Sequence, residues 1–402
     1  MLIDQARPYP SASAGPAMAV VLRILDQIEF GSLQLTYRDC RWLLKGSKPG
    51  PEAVLRVHRP LRLLLQVFHS GDIGFAEAYM RGDWESPELA ALLQLLAENE
   101  QALSAQSRAS VPVKWINLLR HRMNRNSIRG SRRNIAAHYD LGNDFYRLWL
   151  DPSMTYSSAL FENVETDFEQ AQRRKYNRLL DLLRATPGQR VLEIGCGWGG
   201  FAVEAAKRGL RVTGITLSRE QLVFARQRVS EAGLEGSVEL RLQDYRQLSE
   251  TYDHVVSIEM LEAVGEENWE TYAGTLKRCL KPGGRAALQF ITIDESAFDT
   301  YRRNADFIQR YIFPGGMLPT LSRFLTFTAD SGLRTVRADQ FGEHYARTLS
   351  EWHRRFLKSE HEVERTGYGE RFRRMWRYYL SYCEAGFRSG RIDLAQVLLA
   401  NQ

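Results

Sequence analysis

The sharpest contrast between apolar and polar positions falls in the middle of the chain. Val191-Leu192-Glu193-Ile194 is a short, mostly apolar run that reads as a buried parallel strand. A glycine cluster follows at once, and residues 201–208 then take up helical spacing with a charged end. The same alternation recurs downstream. Residues 168–185 predict a helix that leads into the first strand, 212–218 a second strand and its turn, 219–232 a helix and 238–242 a third strand. A fourth strand is predicted at 252–258, a helix at 269–280, a turn at 281–284 and a fifth strand at 285–291. Strands alternating with helices in this way predict an α/β domain with a parallel, doubly wound sheet.

The first hundred residues carry a different pattern. Pro8, Pro10, Ser11, Ser13, Gly15 and Pro16 mark residues 1–17 as a flexible tail. Spacing is helical over 20–28, strand-like over 31–37 and again at 42–44. A turn is expected at Lys48-Pro49-Gly50-Pro51, an extended run at 53–57, and apolar helices at 60–68 and 89–96. The divisions drawn are thus a tail at 1–17, an α+β domain at 18–100, a linker at 101–134 and the α/β domain at 135–402.

Candidate chemistry collects at the predicted strand ends, where doubly wound sheets bind ligands. Gly195, Gly197 and Gly199 let backbone pass close to a ligand with no Cβ in the way. Their spacing is tighter than a dinucleotide fingerprint, and Glu193 beneath them would repel a pyrophosphate. Where a nicotinamide domain places an acid after its second strand, this chain has Thr216 and Leu217. The pattern is similar to the first motif of class I methyltransferases, which bind S-adenosylmethionine. On that reading Gln221 adds to the second strand end, and Gln243, Asp244 and Tyr245 hydrogen-bond and cover an adenine. The alternative for Asp244 is a helix N-cap or turn residue. Glu259 and Glu262 follow the fourth strand, near the methyl to be transferred.

Composition narrows the setting. With 402 residues, 44% hydrophobic, the chain can fill a core and divide into two domains. A net charge of +6 fits an anionic partner surface. Between positions 111 and 133 the bases Lys114, Arg120, Arg122, Arg125, Arg129, Arg132 and Arg133 occur with no acid among them, interleaved with Trp115, Ile116 and Leu118. This reads either as a solvated linker or as a basic amphipathic element for anionic lipid; no nucleic-acid module is recognisable. The cysteines at 40, 196, 279 and 383 form no CxxC pair, so neither a metal site nor a disulfide framework is suggested, and a reducing, cytoplasmic setting is expected. No signal peptide or spanning segment is read, so any membrane would be met from its inner surface.

Longer stretches carry a more specific likeness. Residues 138–145, Met154-Thr155-Tyr156-Ser157-Ser158-Ala159, the glycine loop, Leu261-Glu262-Ala263-Val264-Gly265, Tyr311-Ile312-Phe313-Pro314 and residues 341–356 are involved. Through them the chain resembles cyclopropane-fatty-acid synthases and mycolic acid methyltransferases over nearly its whole length. The N-terminal stretches 28–33 and 74–84 look like that family's small lipid-associated domain. The resemblance implies methyl transfer from S-adenosylmethionine to a double bond of a phospholipid acyl chain, with Tyr156 and Ser157 joining the cofactor site. An alkene is a poor nucleophile, so the methyl must be held close and in line. Its attack leaves a carbocation that needs a dry, negatively charged site and then a base. Loss of a proton from the new methyl closes a cyclopropane; loss from a chain carbon leaves a methylated alkene.

In the family the base is bicarbonate. Carried over one by one, its glutamate falls on Glu262, its tyrosine on Tyr345, its cysteine on Ser158 and its histidine on Ile291. Two ligands have thus changed, and Ile291 cannot donate from its side chain. The expectation is that bicarbonate is not held in the family's manner. Glu262 then stabilises the cation or takes the proton, Tyr345 orients Glu262, and a methyl-branched alkene or diene competes with the cyclopropane. Two other classes remain open: a lapsed lipid- or cofactor-binding protein, against which Glu262 and Tyr345 speak, and a soluble small-molecule methyltransferase, against which the N-terminal domain and basic stretch speak. A homodimer is compatible with all of these.

Overall fold

The computed structural model describes residues 11–104 and 141–401. The basic stretch 114–133 therefore lies outside the described residues. The chain divides into two compact units, each discontinuous. The first comprises Met1–Leu119, Asn304–Phe307 and Leu349–Arg391, the second Arg120–Arg303, Ile308–Thr348 and Ile392–Gln402. The sequence reading divided the chain in linear order and did not foresee residues 349–391 joining the first unit.

The first unit holds a four-stranded sheet in the order β2-β1-β3-β4: β1 (Phe30–Tyr37), β2 (Cys40–Lys45), β3 (Lys48–Val57) and β4 (Trp84–Glu85). β1 pairs antiparallel with β2 and parallel with β3. The expected turn at Lys48-Pro49-Gly50-Pro51 is instead the start of β3. The register with β1 jumps from Phe30↔Lys48 to Ser32↔Glu52, and this irregularity takes up the two prolines, which cannot serve a regular ladder. The tail also ends sooner than expected, because a helix spans Ser11–Leu25, kinked at Gly15 with Pro16 after it. Proline is tolerated in a first helical turn, where no intrahelical partner awaits its nitrogen. The helix Pro60–Met80 continues well past the predicted 68 through a kink at Gly71.

Helix Glu370–Arg388 binds into this unit through Arg374, whose guanidinium donates to the carbonyls of Tyr79 (2.6 Å) and Trp84 (3.1 Å). Trp84 is fully buried, stacked on Phe75 at 4.1 Å. Asn99 closes the other end: its Oδ1 accepts from the backbone of Glu29 and Phe30.

The second unit is built on a seven-stranded sheet in the order β10-β11-β9-β8-β5-β6-β7. In chain order these are β5 (Arg190–Ile194), β6 (Arg211–Thr216), β7 (Val238–Leu242), β8 (Tyr252–Ile258), β9 (Leu280–Ile293), β10 (Leu333–Gln340) and β11 (Ile392–Asn401). β5 to β9 are parallel, as their near-continuous apolar runs predict. β11 runs antiparallel between β9 and β10, and the sequence reading included neither β10 nor β11. The expected turn at 281–284 is a bulge within β9, where the register with β8 shifts between Tyr252 and His254. Two apolar cores cover the sheet, one around Tyr272, Leu276 and Phe324, the other around Leu179, Phe201 and Val212. The chain order reverses at β5, between β8 and β6, which is where a sheet of this kind opens a ligand crevice.

Candidate active site

The crevice begins with the glycine loop after β5. Gly195, Gly197 and Gly199 all have positive φ (88°, 49° and 82°). They do not share one reason for being glycine. A Cβ on Gly195 would lie 3.0 Å from Met260 and one on Gly199 3.0 Å from Ala225, whereas one on Gly197 would meet nothing within 4 Å. The backbone of Gly197 thus borders open space that a side chain would fill. Below the loop Glu193 is buried, and its Oε2 has no hydrogen-bond partner. Burial raises its pKa to about 8, against the pull of Lys175. An open backbone cradle over a carboxylate oxygen in need of a donor fits the hydroxyl- and ammonium-bearing groups of S-adenosylmethionine.

The remaining cofactor candidates follow the adjoining strands. Thr216 Oγ1 lies 3.1 Å from Gln221 Oε1 and accepts from Ser218 N, with Leu217 half-buried between them. Gln243 binds back to the carbonyl of Thr216 through its backbone nitrogen. Asp244 is fully buried; it caps a short turn through Arg246 N at 3.0 Å and takes the guanidinium of Arg246 on both oxygens. Tyr245 packs edge-on against Tyr272, and burial lifts its phenol to about 12. Tyr156 is half-buried, its ring 5.4 Å from those of Tyr146 and Trp149, and Tyr146 reaches Trp198 of the glycine loop at 5.2 Å. Ser157 is buried beside it.

The acidic centre differs from the sequence reading in one respect. Tyr345 does not orient Glu262. Its hydroxyl donates to Glu259 Oε2 at 2.5 Å. Glu259 also accepts from Ser158 N and from Gln289 Nε2, each at 2.8 Å, so it is held on every side. Glu259 sits at positive φ, 50°, a conformation a side-chain-bearing residue adopts at a cost of about 1–3 kcal/mol when its surroundings impose it. Glu262 is held more loosely. Its Oε1 accepts from the backbone of Ile291 at 2.6 Å, and its Oε2 is buried without a partner. Burial, with repulsion from Glu259 added, raises Glu262 to about 8; burial also raises Glu259. The phenol of Tyr345 is pushed well up, by burial first and then by Glu259.

These contacts do not make the family's bicarbonate site. Ser158 Oγ donates to the carbonyl of Ala159, Tyr345 is taken by Glu259, and Ile291 offers only its backbone nitrogen, already on Glu262.

Lys175 and Gln289 were missed. Both were visible in principle: Gln289 interrupts an otherwise apolar strand, and Gln172 and Lys175 fall on the buried face of the helix Phe168–Leu183. Lys175 is fully buried, and desolvation lowers its pKa to about 7 although Glu259, Asp151 and Glu193 oppose this.

Residues 126–397 match the family described as mycolic acid cyclopropane synthetase. The chain belongs to this family. It is an S-adenosylmethionine-dependent methyltransferase of class I fold. It is 40% identical to the tuberculostearic acid methyltransferase UfaA1 of Mycobacterium tuberculosis, over 98% of this chain and 93% of that protein. Against the cyclopropane-fatty-acyl-phospholipid synthase of Escherichia coli K12 identity is 36%, over 89% of each. Among solved structures, mycolic acid cyclopropane synthase CmaA1 complexed with SAH and CTAB is 32% identical, with a TM-score of 0.64 over 67% of this chain and 98% of that one.

Proposed function

We propose that the enzyme methylates a carbon–carbon double bond in the acyl chain of a membrane phospholipid and releases a methylated alkene in preference to a cyclopropane. The observation that carries this is the half-buried pair Glu259 and Glu262 at the crevice end of β8, with one Glu262 oxygen buried and unpartnered. Bound at the glycine loop, with Tyr156, Ser157, Glu193, Thr216, Leu217, Gln221, Gln243, Asp244 and Tyr245 around it, S-adenosylmethionine supplies an electrophilic methyl group. The alkene's π pair would form the new carbon–carbon bond while the sulfur–methyl pair leaves with the sulfur as S-adenosylhomocysteine, which puts the positive charge on the neighbouring chain carbon. Glu259, fixed by Tyr345, Gln289 and Ser158, is a preorganised negative charge for that cation. Glu262 Oε2 accepts the proton, and the C–H pair closes the new double bond. A carboxyl pKa near 8 suits a base working close to neutral pH. With Ser158, Tyr345 and Ile291 committed elsewhere, no step passes through bicarbonate. The two relatives carry different names, a methyltransferase at 40% and a synthase at 36%, so the product proposed here rests on the contacts of Glu259 and Glu262.

The substrate is met at an anionic membrane surface from the cytoplasmic side. None of the described helices is long and apolar enough to cross a bilayer. On helix Pro60–Met80, Leu61, Leu65 and Phe68 are 61%, 60% and 50% exposed. They recur one helical turn apart, with Arg62 and His69 exposed beside them and no acid from Arg59 to Gly71. An exposed apolar stripe with basic flanks suits an interfacial helix.

The test is to supply unsaturated phospholipid vesicles and cofactor, then analyse the released fatty acids by mass and proton NMR. A gain of one CH2 with vinyl signals is expected. A gain of one CH2 with ring-methylene signals and dependence on added bicarbonate would overturn the product assignment; no gain would overturn the substrate.

A further inference from the structure

The helix Phe168–Leu183 grips the segment that precedes it. Leu160 N donates to the carbonyl of Ala171 (3.1 Å), Gln172 Nε2 donates to the carbonyl of Ser157 (3.0 Å), and Tyr176 shares a hydrogen bond with Thr155 (2.9 Å). Lys175 stands in this row with no exposed surface. Its ammonium donates to Ser157 Oγ at 2.6 Å and to Gln172 Oε1 at 2.8 Å. These bonds fix the amide of Gln172, oxygen toward the ammonium and nitrogen toward the backbone. Burial works against the charge on Lys175, and the carboxylates of Glu259, Asp151 and Glu193 oppose that in part.

A lysine ammonium has hydrogens to give and no lone pair to offer. With Lys175 on its oxygen, the hydroxyl of Ser157 must send its own hydrogen elsewhere, and no acceptor for it occurs among the described residues. We propose that Lys175 is a positioning residue that commits the Ser157 hydroxyl to donate to the carboxylate of S-adenosylmethionine. This rests on the cofactor assignment made above. The carboxylate is the cofactor's one anionic group, and Glu193, Glu259 and Glu262 make the surrounding crevice hostile to it. A hydroxyl backed by a buried cation is the donor best matched to an anion in such a place. Lys175 itself touches neither substrate nor cofactor; it acts through Ser157.

The experiment compares binding of S-adenosylmethionine with that of its decarboxylated analogue by calorimetry, for the wild type, Lys175→Met, Ser157→Ala and the double variant. The wild type should favour the carboxylated ligand. Each single variant should cut that preference roughly tenfold, the scale of one charge-assisted hydrogen bond, and the double variant should cut it no further. Equal weakening of both ligands by Lys175→Met would mean a structural role and overturn the proposal, as would an unchanged preference in Ser157→Ala. That second variant removes a single oxygen, so it keeps the question answerable if Lys175→Met fails to fold. A wild type that binds neither ligand would instead overturn the cofactor assignment beneath it.

Discussion

Two glutamates three positions apart differ by a few hydrogen bonds, and the separate tasks proposed for them rest on that difference. Glu259 accepts three and is fixed; Glu262 accepts one and keeps an open oxygen. Glu262→Gln should therefore lower kcat by about 10²–10⁴-fold, the usual worth of a positioned base, with cofactor affinity little changed. Tyr345→Phe removes one bond to a charged group and should cost roughly ten- to a hundredfold. The pH profile follows from the raised pKa. Glu262 works as a base only when ionised, so kcat/KM should fall as pH drops below about 8, and Glu262→Gln should abolish that limb. A limb unmoved by the substitution would assign the titration to another group. Gly197 makes a second prediction. Asparagine tolerates its left-handed φ of 49°, yet would put a side chain into the open cradle. Gly197→Asn should keep its melting temperature and lose cofactor binding by calorimetry. At this scale the sequence was informative about identities and poor about partnerships. Glu193, the three glycines and Glu262 could be placed from motif and strand end. That Tyr345 bonds Glu259, which sits at positive φ, is a matter of tertiary geometry that no pattern of residue types reveals.

At the scale of elements, the parallel strands were legible because each is a short apolar run with turn residues at its ends. β7 and β8 fall where the pattern put them. The errors share a cause: Pro49-Gly50-Pro51 and Pro282-Gly283-Gly284 look like turns, yet both lie inside strands, where a bulge accommodates them. β10 was missed because its exposed alternation, Leu333-Arg334-Thr335-Val336-Arg337, carries little apolar signal. The helix Pro60–Met80 makes the prediction that belongs here. Leu61, Leu65 and Phe68 have little packing to lose, so Leu61→Ser, Leu65→Ser and Phe68→Ser together should leave thermal stability within about 1 kcal/mol. Co-sedimentation with anionic vesicles should fall, while turnover of detergent-dispersed substrate persists. Unaltered co-sedimentation would remove this face from the membrane assignment and point to residues 114–133 instead.

Across the whole molecule, the order in which strands occur along the chain is not the order in which they pair. β11 follows every other described strand, yet lies between β9 and β10 in the interior of its sheet. The chain passes through the helices of the first unit, residues 349–391, before it supplies that strand. A ribosome making this protein therefore displays β9 for some time with one edge open and its apolar side chains Leu288 and Phe290 unsealed. Such an edge is a template for pairing with another chain, and slow closure leaves it exposed. A message stopped after codon 391 should yield an insoluble product although every catalytic candidate is already encoded, and a peptide spanning 392–401 supplied in trans should restore part of the soluble fraction. Translation speed and chaperone supply, more than any residue of the crevice, would then limit how much active enzyme a cell obtains.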